Sequence, residues 1–466
     1  MMSLTTSTAA RERRRVAFAT IVGTTIEWYD FFIYANAAAL VFASLFFEPA
    51  GSQIGLLLAF ASVGLSFLFR PLGAFLAGHY GDKIGRKAML VLTLIMMGGA
   101  TTLIGVLPTY ATAGATAPIL LLVLRIIQGI SAGGEWGGAA LMAVEHAPRA
   151  KRGLFGAFPQ LGVPLGMLLA SGILALMSGV ISPGKAFAEW GWRVPFLLSI
   201  VLIGVGYIVR RSVDESPVFK EMVTTKQRVR VPIVELFKKH WILVIIAALT
   251  FAGNNAAGYM TTGGYVVSYA SNPKGLAMDR TELLLAVTGS AVLWFIFTLV
   301  GGWLSDRIGR RNTYLIGFGC QLLTVFPLFW LVNTGNIWVL FLGLALFTVG
   351  LGLTYGPQAS MYSELFPASI RYSGVSISYA IGAILGGAFA PTIATALVQA
   401  TGTTVSVSVY LLVVTLISIA AVLVIRDRRG IDLGVKNQAE QEVGATVFDK
   451  RRGVSTDDVA ATAPVS

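Results

Sequence analysis

Apolar runs of roughly twenty residues recur along almost the whole chain, and this feature limits the fold more than any other. They fall near 16–47, 54–77, 88–107, 117–142, 153–178 and 192–209, and again near 240–270, 282–304, 312–332, 336–362, 372–400 and 404–425. Each is long enough for a helix to cross the hydrocarbon layer of a bilayer. Glycine, proline and small polar residues punctuate the runs without ending them, as happens where neighbouring helices rather than water satisfy the backbone. With 55% hydrophobic and only 12% charged residues, against about 25% charged in a soluble chain, there is too little charge to cover a water-facing surface. An all-α integral membrane protein with twelve transmembrane helices is expected. The first run follows Arg11, Arg13, Arg14 and Arg15 but is too long for a signal peptide and carries Glu27 and Asp30, so it is read as a retained helix.

The net charge of +12 is explained by where the basic residues sit. The N-terminus, the gaps at 83–87, 149–152, 210–239 and 307–311, Arg371 and the region from Arg426 onward hold 29 of the 35 Lys and Arg. The remaining gaps hold only Lys185, Arg193, Lys274 and Arg280, and Arg70 and Arg125 lie within runs. Lysine and arginine accumulate on the cytoplasmic side, which predicts an even number of spans with both termini cytoplasmic in a cell (inner or plasma) membrane. No nucleic-acid partner is needed to account for the charge.

The chain repeats itself. Gly78-His79-Tyr80-Gly81-Asp82-Lys83-Ile84-Gly85-Arg86-Lys87 follows the second run, and Gly302-Trp303-Leu304-Ser305-Asp306-Arg307-Ile308-Gly309-Arg310-Arg311 follows the eighth. Recurrence at equivalent places predicts two pseudo-symmetric six-helix bundles. The boundaries expected are a cytoplasmic segment 1–15, a first bundle 16–209, a charged linker 210–239, a second bundle 240–430 and a polar, disordered tail 431–466. In each repeated loop the glycine permits a tight turn, and the acid, Asp82 or Asp306, can sit against a helix N-terminus or an arginine such as Arg86 or Arg310. That arrangement suits a cytoplasmic gate, with a plain positive-inside anchor as the alternative.

These loops resemble the signature loop of the major facilitator superfamily. Further segments are similar to its metabolite:proton symporter family: Glu27-Trp28-Tyr29-Asp30-Phe31, Arg125-Ile126-Ile127-Gln128-Gly129 with Gly133-Gly134-Glu135-Trp136-Gly137-Gly138, and Gly191-Trp192-Arg193-Val194-Pro195-Phe196. Glu215-Ser216-Pro217-Val218-Phe219 and Glu364-Leu365-Phe366-Pro367 with Arg371 belong to the same resemblance. It implies import of an organic acid or small zwitterion with protons, and it places Glu364 and Arg371 with the gate. The fifth span reads Gly162-Val163-Pro164-Leu165-Gly166 and only partly resembles the Gly-Pro-x-x-Gly-Gly element of drug:proton antiporters, which argues against export. A proton-independent uniporter, a proton-coupled exporter and a transporter-like sensor remain as alternatives.

Charge inside a span is a functional-site hypothesis on physical grounds alone, because it costs at least about 2.5–3.5 kcal/mol on insertion scales. Counting ~1.5 Å per residue places Glu27, Asp30 and Arg125 near one depth, and Glu27 and Asp30 share a helix face. One arginine cannot neutralise two carboxylates, so one acid pairs with Arg125 and the other can take up a proton. Glu27, Asp30 and Arg125 are therefore the expected proton-coupling residues, with Arg125 alternating between acid and substrate. Gln128, one turn away, can orient Arg125. Glu135 lies deeper, near the cytoplasmic mouth, where gating suits it; Arg70 is read as snorkelling to the interface. In the second half, Asn254, Asn255, Tyr259, Tyr355 and Gln358 are the candidate substrate-recognition residues. No catalytic constellation, phosphate-binding loop or metal spacing is present: His79, His146 and His240 are far apart in sequence and Cys320 is a lone thiol in an apolar run. The protein is expected to be no enzyme, to need no cofactor or metal, and to act as a monomer on a small molecule and protons within the lipid bilayer.

Overall fold

The computed structural model describes residues 2–84, 86–211, 218, 221, 224, 232–262, 265–273 and 275–448, with the side chains of 2–10, 78–84, 86, 87, 232, 259 and 262 outside that description. Eleven described segments are long and apolar enough to cross a membrane. Spans one to six are Arg11–Phe46, Glu48–Ala77, Ala88–Gly105, Thr116–Glu145, Arg149–Ile181 and Phe187–Arg211. The helix Pro232–Thr262 takes the seventh place, and spans eight to twelve are Arg280–Ile308, Arg310–Val332, Ile337–Leu365, Arg371–Thr401 and Val405–Val424. The expected all-α membrane fold is what the chain adopts. Most of the linker 210–239 falls outside the described residues; Arg210 itself ends up inside span six.

The repeat seen in the loops extends to the packing. In the first half span one packs on span five, span two on span four, and span three on spans four and six. The same pairs recur six places later: seven on eleven, eight on ten, and nine on ten and twelve. The halves meet along two seams related by the same rule, span two with span eleven and span five with span eight. Large apolar side chains such as Val180, Ile208, Leu323 and Trp338 point outward, exposed, as lipid-facing residues must be.

Backbones approach closely where small residues recur at helical spacing. On span four, a Cβ added to Gly129 would lie 2.1 Å from Ser66 O and one added to Gly133 2.0 Å from Arg70 O. Prolines and glycines break the helices that border the halves: span five at Leu161 between Pro159 and Pro164, and span ten at Gly356-Pro357.

Residues 431–448, expected from their polarity to be disordered, are instead folded against the face that carries both termini. Ile431, Leu433 and Val435 are buried. The segment's polar groups are acceptors for arginines of the bundle: Arg152 donates to Ile431 O, and Arg371 donates to Leu433 O at 3.0 Å and Gln441 Oε1 at 2.9 Å. Polarity that looks like disorder in sequence is here consumed by partners far away in the chain. Residues 449–466 lie outside the described residues.

Replacing Gly133 by valine overpacks the seam between spans two and four and is expected to cost on the order of 1–3 kcal/mol, seen as a lower melting temperature in detergent. Gly172→Ala, where nothing lies within 4 Å of the added methyl, is expected to leave the melting temperature unchanged or to raise it, by the removal of up to ~1 kcal/mol of helix penalty.

Candidate functional site

Between the halves the structure is closed toward the terminal face. The Trp136 ring of span four stacks on Tyr379 of span eleven with centroids 3.8 Å apart and planes at 8°. Tyr379 stacks in turn on Phe251 at 4.6 Å. Trp136 Nε1 donates to Gln160 Oε1 at 2.7 Å, Gln160 Nε2 reaches Tyr355 O at 3.2 Å, and Tyr372 Oη donates to Gly134 O at 2.7 Å. A layer of aromatic rings and amides from both halves thus forms a floor.

Beneath it lies a clasp of charges. Gly309, at φ 97°, turns the chain between spans eight and nine. Asp306 then accepts from Gly153 N at 2.7 Å and Leu154 N at 2.9 Å, capping the start of helix Arg152–Gln160 in the other half. Arg310, buried, holds Asp306 at 2.7 Å and Glu364 at 3.1 Å. Arg371 lies 3.4 Å from Glu145 across the interface, and Glu364 has Arg152 as a charged neighbour. Arg149 pairs with Asp432 of the folded tail. Glu145 and Arg152 were not singled out in the sequence, although Glu145-x-x-Pro148-x-x-x-Arg152 recurs as Glu364-x-x-Pro367-x-x-x-Arg371. The side chains of Asp82 and Arg86 lie outside the described residues.

The membrane-buried charges divide into separate groups rather than one trio. Asp30 accepts from Ser199 Oγ at 2.6 Å and faces Thr101, while its Oδ2 accepts no well-formed hydrogen bond. Arg125 donates to Ser62 O at 3.2 Å, Val63 O at 3.1 Å, Ser66 Oγ at 2.7 Å and Gln128 Oε1 at 2.6 Å. Its guanidinium also lies 3.8 Å over the Tyr34 ring. Those bonds tie span four to span two, and Gln128 in turn donates to Thr101 Oγ1 at 2.7 Å. Glu27 has Glu135, Arg70, Arg210 and Asp30 as its charged neighbours, and both its oxygens are buried without a hydrogen bond. Glu135 is paired with Arg210 within the first half.

Arg70 corrects the snorkelling reading. It is 2% exposed and packs its guanidinium against Phe67, Trp28 and Phe31. The helix continues past the apolar run to Ile84, and the Arg70 side chain faces the interior of the bundle instead of extending along the helix toward an interface.

Above the floor, Trp28, Phe32 and Val163 from the first half and Phe251, Asn254, Asn255, Gly258, Trp294 and Tyr355 from the second enclose a small cavity of about 20 Å³. Asn254 accepts from Thr354 Oγ1 at 2.9 Å and Asn255 donates to Ala383 O at 3.0 Å. Gln358 lies one layer lower, 3.5 Å from Gln160; Tyr259's side chain is outside the described residues. On the face away from the termini a cavity of about 640 Å³ opens between both halves, lined among others by Ser44, Glu48, Gln53, Tyr269, Asn272 and Arg280. Closed on one face, open on the other and pinched at a central chamber, the two repeats have the geometry of an alternating-access carrier.

A family model described as Major Facilitator Superfamily matches residues 20–384 and 258–457. The chain belongs to the major facilitator superfamily. Among curated proteins it is similar to the inner membrane metabolite transport protein YhjE of Escherichia coli K12, 41% identical over 391 residues, covering 83% of this chain and 88% of that protein. It is also 39% identical over 420 residues to the shikimate transporter of the same organism, covering 89% and 94%. Among solved structures it resembles the proton:xylose symporter XylE of E. coli bound to 6-bromo-6-deoxy-D-glucose, with a TM-score of 0.73 at 17% identity, covering 91% and 98%. This superfamily member is a multi-pass membrane transporter of small molecules and not an enzyme.

Asp306→Ala removes the acceptor for two helix-start N–H groups and a partner of Arg310. It is expected to cost about 1–2 kcal/mol and to speed amide hydrogen exchange at residues 153–156, with exchange in spans nine and twelve unchanged.

Proposed function

We propose that this transporter imports a small organic metabolite, an organic acid or a zwitterion, together with protons by alternating access. The observation that carries the reading is the pair of buried acids in span one: Glu27 and Asp30 are at most 1% exposed, and among the described residues three of their four carboxylate oxygens accept no hydrogen bond of good geometry. A carboxylate held in that state is stabilised by taking up a proton. Access to it alternates when the floor and clasp below open and the chamber above shuts. Asp30 and Glu27 exchange the protons, and Arg125 with Gln128 holds spans two and four in the geometry around them. Asn254, Asn255, Tyr259, Tyr355 and Gln358 supply polar recognition from the second half. Asp82, Arg86, Glu135, Asp306, Arg310, Glu364 and Arg371 belong to the gate. The basic residues gathered on the terminal face support a cytoplasmic location for both termini. A single chain is the transporting unit, since its two halves enclose the chamber.

The test is uptake into proteoliposomes of shikimate, 2-oxoglutarate, citrate, proline and betaine, with and without an imposed inward proton gradient. Accumulation above the external concentration is expected only with the gradient. Glu27→Gln and Asp30→Asn are each expected to abolish gradient-driven accumulation. Wild-type accumulation in both variants removes these acids from the coupling. Equal uptake with and without the gradient makes the protein a uniporter, and loss of a preloaded compound driven by the gradient makes it an exporter.

A further inference from the structure

Arg70 is a buried cation that forms no ion pair among the described residues. Its Nε and Nη1 donate to no acceptor, and its Cζ lies 4.3 Å from the Phe67 ring and 5.5 Å from Trp28, a wall of the central chamber. Glu27 is its acidic neighbour, with both oxygens free of hydrogen bonds, yet among the described residues no ion pair forms between the two. From the other half the phenols of Tyr355 and Tyr379, 3.4 Å apart, reach the same place; both have Arg70 as a charged neighbour, and the Tyr379 phenol is also its hydrogen-bond partner, which leaves Nε and Nη1 as the unmade bonds. The remaining charged groups around Glu27 are Glu135, already paired with Arg210, and Asp30, which is held by Ser199.

A guanidinium does not shed its charge. Aromatic faces compensate part of that charge, but N–H groups aimed into a poorly solvated space call for a planar, bidentate anion, and a carboxylate matches that fork. Arg125 is already committed to four hydrogen bonds on spans two and four, so the two unmade bonds of Arg70 are the more available.

We propose that Arg70 receives a carboxylate of the transported metabolite, and that Glu27 is the group it displaces. Ionised, Glu27 compensates Arg70; when a substrate carboxylate takes its place, Glu27 accepts a proton. The charge of the site is the same before and after: one guanidinium with one carboxylate, plus one neutral acid in the loaded state. A second ionised carboxylate beside Arg70 would stand uncompensated, because Arg210, the other cation near Glu27, is already held by Glu135, so the anion and the proton load together and leave together. The rest of the substrate lies against Trp28 and Trp294 and the amides of Asn254 and Asn255. This rests on the proton-symport reading and narrows it to substrates that carry a carboxylate.

The experiment uses the full chain in proteoliposomes under an inward proton gradient, with shikimate, 2-oxoglutarate and proline as probes beside their methyl esters, which keep the body and lose the charge. At least one acid is expected to accumulate, with its ester reduced about tenfold or more, the loss of one charge-assisted contact. Arg70→Gln is expected to weaken binding of that acid, read by quenching of tryptophan fluorescence, by a similar factor, with Arg70→Lys in between. In Glu27→Gln the acid is expected to bind with an affinity that no longer falls as pH rises. The ester comparison needs no variant and stands even where Arg70→Gln fails to fold. Esters that accumulate as well as their acids, or acid binding unchanged in Arg70→Gln, overturn the role of Arg70 while leaving proton symport intact. If no probe accumulates in the wild type, the symport reading and this inference fall together.

Discussion

A bilayer solvates neither charge nor unpaired backbone, and every other feature of this protein follows from how that constraint is met. Helices satisfy their own amides, so the chain is free to span repeatedly, but a charged side chain taken into the bundle must find compensation from another span. Glu135 finds Arg210, Arg310 finds Asp306 and Glu364, and Arg371 finds Glu145. Such pairs bring helices together with specific geometry. Breaking one leaves an uncompensated charge, whereas a charge that passes to a new partner stays compensated. That asymmetry is what a carrier requires: rigid groups that repartner rather than unfold.

The pairs are not spread evenly. They gather toward the terminal face, between spans four and six, among spans eight, nine and ten, and between spans four and eleven, and the folded segment 426–448 adds Asp432 and Gln441 to them. The opposite face has a cavity in their place. The two ends of one interface therefore differ: several ion pairs close one, while at the other the halves part around the cavity and Arg280 donates to Leu40 O at 3.4 Å. Gly129 and Gly133 let the backbones of spans two and four touch, and the breaks at Leu161 and Gly356-Pro357 lie on the helices that border the interface.

The interior acids show why depth alone does not establish partnership. Glu27, Asp30 and Arg125 stand near one level, but a helix presents level residues in different directions. Asp30 turns to Ser199 of span six, Arg125 to the backbone of span two and to Tyr34, and Glu27 toward Arg70 of span two and, across the interface, Tyr355 and Tyr379 of the second half. Arg70 was misread because apolar content marks where a run ends and not where a helix ends: the polar residues after Ala77 continue the same helix to Ile84. The order in 431–448 was hidden for a related reason, since a polar segment is unstructured only if the chain elsewhere has no unmet donors to offer it.

What could be read from the residues alone was whatever local chemistry dictates: twelve spans from apolar length, two halves from the repeated Asp-x-x-Gly-Arg loops, and Asp306 as an acid able to sit against a helix N-terminus or a nearby arginine. The basic loops assigned a side to the terminal face by the same kind of local count. Which acid meets which arginine was decided only in the tertiary structure. Rotation of each helix about its axis and the crossing of spans two, four, six and eleven bring together residues more than a hundred positions apart, and no periodicity in one helix records the face its neighbour will present.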